Sequence, residues 1–130
     1  MFKSIHHVAI ICSDYAVSKH FYTPILGLEI IAENYREERD SYKLDLRLAS
    51  GGQVELFSFP MAPPRPSYPE AQGLRHLAFS VDSVAAAADY LISCGVDVEP
   101  IRVDEFTYKA FTFFKDPDGL PLEVYEQAID

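Results

Sequence analysis

Two histidines and two glutamates occupy matching places in this chain. His7 precedes Gly27 by 20 residues, and His76 precedes Gly95 by 19. Gly27 then precedes Glu55 by 28, and Gly95 precedes Glu123 by 28. Each Glu follows a glycine by four residues, Gly51 and Gly119, and each has apolar neighbours: Val54 and Leu56, then Leu122 and Val124. A carboxylate in an apolar strand is costly unless it is paired, hydrogen-bonded or bound to metal. Taken singly, such a Glu is explained as an outward edge residue, and such a His as a satisfied core histidine. Four of them at corresponding positions of a repeat need a shared explanation. Two imidazoles and two carboxylates make a mixed N/O donor set, suited to divalent Ni, Co, Zn, Fe or Mn with positions left for water. His6 competes with His7, but adjacent strand residues face opposite sides. Its offset of 21 also fits the repeat less well, so we read it as peripheral. His20 falls on the first helix and is read as a surface or helix-packing residue.

The elements that must position these residues repeat as well. IHHVAIICSDYAVSKHFY begins at Ile5, and RHLAFSVDSVAAAADYL begins at Arg75. Both run from a His through a short apolar strand into an amphipathic helix, giving a repeat of about 69 residues. In the first half, His7–Cys12 reads as a strand and residues 14–22 as a helix, with Ser13 and Asp14 able to cap it. Pro24 and Gly27 end or break that helix. Strands follow over residues 28–33, 42–48 and 53–59, the last two separated by a turn at Ser50, Gly51 and Gly52. In the second half, residues 76–81 read as a strand. Ser83 caps a helix to about Cys94, and Gly95 stops it. Residues 96–103, 111–114 and 122–125 read as strands, with a turn over Asp116 to Gly119. The expected fold is α+β: two βαβββ modules in tandem. Module 1–59 and module 70–130 are joined by a proline-rich connector over residues 60–69, which holds five of the nine prolines. Such a segment is neither helix nor central strand.

The bulk numbers narrow the function. A chain of 130 residues with 48% hydrophobic side chains supports one soluble domain, or two half-domains sharing a core. The net charge of −9 argues against nucleic acid and anionic membranes, whose partners carry basic patches. No apolar run approaches the roughly 20 residues that cross a bilayer. The N-terminus lacks an export signal, so the expected location is the cytoplasm. Cys12 and Cys94 form no paired motif and are read as packed thiols.

The segments HHVAI, GLEI, QVELF, RHLAFSV, CGV and DPDGLPLEVYE resemble the vicinal oxygen chelate superfamily (the glyoxalase/bleomycin resistance/dioxygenase fold), and more narrowly its glyoxalase I-like bacterial proteins. The likeness covers nearly the whole chain. It implies that the paired modules curve a mixed sheet around a metal site, with His7, Glu55, His76 and Glu123 as ligands and water in the remaining positions. It implies a homodimer and a small-molecule substrate. A Glu at position 55 sets the chain apart from the dioxygenases and thiol transferases of the superfamily and tilts the chemistry towards isomerase or lyase. The implied reaction is of the lactoylglutathione lyase type: metal-assisted proton transfer beside a carbonyl, for instance on a 2-oxoaldehyde thiol hemithioacetal. Glu123, or else Glu55, would carry the proton, with Ni, Co or Zn as the expected metal and Fe or Mn as alternatives. Arg36, Arg39, Lys43, Arg47, Arg65, Arg75, Arg102 and Lys109 are read mainly as solvated surface charge. Gln53 and Tyr125 share strand parity with Glu55 and Glu123 and are placed to line a cavity. Two other classes stay open: another metalloenzyme of the superfamily, such as an epimerase or dioxygenase, and a non-catalytic small-molecule binding protein.

Overall fold

Alternation decides how each strand sits. In Ser41–Arg47, Leu44 and Leu46 are completely buried, while Lys43, Asp45 and Arg47 point to the other face. In Gln53–Ser58, Val54 and Leu56 are buried, and Gln53, Glu55 and Phe57 lie on that same other face. In Pro121–Glu126, Leu122 and Val124 are buried, and Glu123 and Tyr125 share the opposite side. One face of each sheet is thus left for chemistry while the other makes the core.

The computed structural model describes residues 1–127. The chain divides into two compact units, Met1–Pro64 and a second beginning at Arg65. The first holds β1 (His7–Cys12), α1 (Tyr15–His20), β2 (Glu29–Arg36), β3 (Ser41–Arg47) and β4 (Gln53–Ser58). The second holds β5 (Leu77–Val81), α2 (Val84–Ser93), β6 (Arg102–Val103), β7 (Ala110–Lys115) and β8 (Pro121–Glu126). Each unit forms a four-stranded mixed sheet, ordered β1-β4-β3-β2 and β5-β8-β7-β6. In each, the first strand runs parallel to the last and the remaining pairs are antiparallel. The expected α+β class and the βαβββ order of each half are what the structure holds.

The helices are capped as their sequences imply. The Asp14 carboxylate accepts the Val17 N–H at the start of α1, and the Ser83 hydroxyl accepts the Ala86 N–H at the start of α2. Val84, Ala88 and Leu91, spaced for one helix face, are the buried residues of α2. That helix stops at Gly95, whose φ of +83° suits glycine. There the Val96 N–H reaches the Leu91 carbonyl and the Gly95 N–H reaches that of Ile92, satisfying two carbonyls the helix would otherwise orphan.

Three boundaries differ from the sequence expectation. The first helix does not end at Pro24. It widens into a π-helical turn over Phe21–Ile25, because Pro24 offers no N–H and the Leu26 N–H bonds back to Phe21 instead. The strand expected at residues 28–33 runs on to Arg36, held by the pairings Tyr35 with Tyr42 and Arg36 with Ser41. The strand expected over residues 96–103 shrinks to Arg102–Val103 and an isolated bridge between Val98 and Phe114. Pro100 interrupts the ladder there, since it has no donor to give.

The cores of the two units yield parallel expectations. Leu56→Ala and Leu122→Ala each remove a side chain with no exposed surface. Each should cost about 2–5 kcal/mol in urea unfolding. A loss under about 1 kcal/mol in either would show that the site is not core.

Candidate metal centre

The parallel pairing in each unit sets the geometry of the candidate site. Ala9 of β1 lies opposite Glu55 of β4, and Ala78 of β5 lies opposite Glu123 of β8. His7 and His76 each stand two residues before that alanine, so each shares its face. The two halves are in the same register, and His7 rather than His6 is the equivalent of His76. His7 Nδ1 lies 3.5 Å from Glu55 Oε2, and His76 Nε2 lies 3.3 Å from Glu123 Oε1. The carboxylates are largely covered, at 14% and 12% exposure, and the imidazoles are more open.

The four predicted residues are therefore brought together as two His–Glu pairs, one per unit. Among the described residues no group of three or more His, Cys, Asp or Glu side chains is assembled to hold a metal. Two ligand atoms each about 2.1 Å from one ion are roughly 3.0–3.4 Å apart at angles of about 90–110°. The 3.3 Å separation falls within that spacing and the 3.5 Å one just beyond it, and both are long for a charge-assisted hydrogen bond. Glu123 has no other polar partner among the described residues, an expensive state for a covered carboxylate that a cation would relieve. The donor set fits a divalent metal.

The surroundings of the two pairs differ. β3 places Asp45 opposite Glu55, and the Lys43 ammonium lies 2.8 Å from Asp45 and 3.9 Å from Glu55. In the second unit the residue opposite Glu123 is Phe113. Its ring meets that of His76 edge-on, 5.0 Å between centroids. Phe111 stacks with Tyr125 on the same face. The first pair is thus set among charges and the second among aromatic rings. Asp45 is the residue the sequence reading missed. Its signal was the strict alternation of YKLDLRL, which puts Asp45 on the face of Lys43 and opposite the core leucines. His6, expected to be peripheral, is exposed, yet its Nδ1 lies 2.9 Å from that of His7.

Tyr125, two residues beyond Glu123 on the same face, also anchors a loop. Its hydroxyl donates to Asp104 Oδ2 at 3.1 Å and contacts the Thr107 hydroxyl. Asp104 accepts the Phe106 N–H at 2.8 Å. That backbone donor, with the Tyr125 and Thr107 hydrogen bonds, holds the Asp104 carboxyl below its usual range. On α1, the Lys19 ammonium and the Tyr15 hydroxyl likewise hold Glu33 low.

A family model described as the Glyoxalase/Bleomycin resistance protein/Dioxygenase superfamily matches residues 4–124. The chain is 62% identical to uncharacterized protein YaeR of Escherichia coli (strain K12) over 96% of this chain and 97% of that one. It superposes on the crystal structure of the glyoxalase family protein from Enterococcus faecalis with a TM-score of 0.90 at 53% identity, covering 96% of this chain and 98% of the other. More distant relatives are a probable lactoylglutathione lyase of Vibrio cholerae, 28% identical over 94% of this chain and 89% of that one, and a 2-epi-5-epi-valiolone epimerase of an Actinomyces species, 29% identical over 93% and 78%.

Because the Asp104 carboxyl is held low in the folded chain, its contribution is complete above the ordinary carboxylate range and fades as pH falls through its folded value. Protection of the amides across residues 104–109, relative to their intrinsic exchange at each pH, should therefore fall in acid. Asp104→Asn should lower that protection at neutral pH and flatten its acid dependence. An unchanged exchange profile in that variant would remove Asp104 as the anchor of the loop.

Proposed function

The chain belongs to the Glyoxalase/Bleomycin resistance protein/Dioxygenase superfamily, and on that premise we propose that it is a glyoxalase I-like, metal-dependent enzyme. It moves a proton beside a carbonyl of a small oxygen-chelating substrate, of which a 2-oxoaldehyde thiol hemithioacetal is the model case. The supporting observation is the pair of register-matched His–Glu contacts, 3.5 and 3.3 Å, each with a covered carboxylate. His7, Glu55, His76 and Glu123 would together hold the ion, Ni, Co or Zn in first place and Fe or Mn as alternatives. One chain, or two chains of a homodimer, would bring the pairs together. When bound, the metal supplies Lewis-acid stabilisation of the negative charge that develops on substrate oxygen.

The protein's own groups divide the remaining work. Glu55 is the better anchor, because Lys43 and Asp45 hold its surroundings in an ionic network. Glu123 is the better proton carrier. Its only polar partner among the described residues is His76, so it can release the imidazole and reach a substrate carbon. The Phe113 ring beside it excludes water from that side, which keeps the carried proton from exchanging with solvent. Returning the proton to the neighbouring carbon isomerises the substrate. Delivery of a different proton from a second acid on the opposite face of the same carbon would epimerise it instead, and the epimerase among the relatives supports that second outcome. No helix among the described residues is long and apolar enough to cross a membrane, and we place the enzyme in the cytoplasm.

Metal analysis of the untagged protein tests the donor set. We expect one ion per assembled site, lost in a His7→Ala, Glu123→Gln double variant. No metal after re-loading would overturn the reading. Re-metallated protein given methylglyoxal and a series of thiols should form a thioester, and Glu123→Gln should lower turnover by roughly 100-fold or more. Unchanged turnover would end the proton-carrier role of Glu123. Metal without turnover on any thiol adduct would turn the substrate search to epimerisable ketones.

A further inference from the structure

The second unit contains a cavity of about 350 Å³, the lower end of what binds a small organic molecule. His76 and Phe113 form part of its wall. So do Arg65, Arg75, Arg102 and Lys115, set against only two carboxylates, Glu70 and Glu99. A chain of net charge −9 has thus gathered four of its 11 cationic side chains around one cavity. Like charges are costly to assemble unless something compensates them.

The partners of these cations are few. Arg75 and Lys115 have no side-chain hydrogen bond or ion pair among the described residues. Among the described residues Arg65 donates only to the Ser67 hydroxyl, at 3.0 Å. Arg102 reaches Glu99 at 3.2 Å, and its guanidinium carbon lies over the rings of Phe111 and Phe113, 5.0 and 5.6 Å from their centres. Stacking occupies the faces of a guanidinium and leaves its N–H edge to donate. The matching places in the first unit look different. Arg47, the counterpart of Lys115 in the strand register, is 3.1 Å from Glu29, and Lys43 is 2.8 Å from Asp45. There Arg47 and Lys43 are each paired with a carboxylate; in the second unit Arg75 and Lys115 are not, among the described residues.

We propose that this cavity is an anion subsite: it takes a carboxylate or phosphate group at one end of a small substrate whose other end lies at His76 and Glu123. Guanidinium forks match both oxyanions, and a neighbouring ammonium adds charge without demanding geometry. The placement of the substrate's other end rests on the reading of His76 and Glu123 as metal ligands. The binding of the anion does not.

Backbone amide shifts of the full-length protein would be followed while disodium succinate, inorganic phosphate or neutral succinamide is added at low salt. At least one anion should saturate a single site, with shifts centred on residues 65–76 and 102–115, while succinamide should not. Whichever anion binds more tightly identifies the group as carboxylate or phosphate. Raising the salt should weaken binding. Arg75→Gln with Lys115→Gln should weaken it about tenfold or more, and Arg102→Gln alone gives a second variant should the first fold poorly. Anion binding should persist in the His7→Ala, Glu123→Gln variant, so the metal reading and this one fail separately. No saturable shift with either anion, equal binding of succinamide, or undiminished binding in the cation variants would overturn the proposal.

Discussion

The parallel pairing of the first strand with the last in each unit is the constraint on which the site depends. A parallel ladder aligns both strands in one direction, so a His two residues ahead of a cross-strand position lies on the same face as the Glu opposite that position. Neither His7 and Glu55 nor His76 and Glu123 are near in sequence. Slipping either strand by one residue would send the imidazole to the core side and leave the carboxylate without a partner. The fully buried Leu56 and Leu122, each next to its Glu, resist that slip, since the same shift would expose them. Core packing therefore enforces the register that the chemistry needs.

The two units share this backbone plan and differ in what surrounds it. Opposite the first Glu stands Asp45, tied to Lys43; opposite the second stands Phe113. The Lys43 ammonium attracts the Glu55 carboxylate and offsets the repulsion of Asp45, whereas an aromatic neighbour removes water and offers no hydrogen bond in return. On the function proposed above, the duplicated scaffold would carry two unlike tasks on equivalent residues: anchoring in one half and proton movement in the other.

Much of this was legible in the sequence, because it rests on spacing. The equal 28-residue intervals from Gly27 to Glu55 and from Gly95 to Glu123 exposed the repeat. The repeat then selected His7 over His6, a choice that agrees with the strand register. Strand parity also put Gln53 on the face of Glu55 and Tyr125 on that of Glu123, as the strands hold them. What escaped were features that depend on pairing between strands. Asp45 looks like one charge in a solvated edge until β3 is laid against β4. The extension of β2 to Arg36 requires the partner residues Ser41 and Tyr42, and the loss of strand before Arg102 follows from a single missing N–H at Pro100. The Asp104 anchor was equally hidden, since Tyr125 is 21 residues away in sequence.

Charge shows most clearly why composition misleads at the scale of a site. A net charge of −9 argues against a polyanionic partner, because such a partner needs an extended basic surface. It says nothing about a cavity lined by four cations, since the Debye length at physiological salt is about 8 Å and carboxylates beyond it contribute little there. Most of the basic side chains were read as solvated surface. That reading suits Arg47, which Glu29 neutralises, and it suits the exposed Arg75 too, yet Arg75 and Lys115 also line the cavity with no ionic partner among the described residues. The difference lies in β7 and in the chain from Arg65 to His76, which place separate cations around one space that no linear stretch of sequence displays.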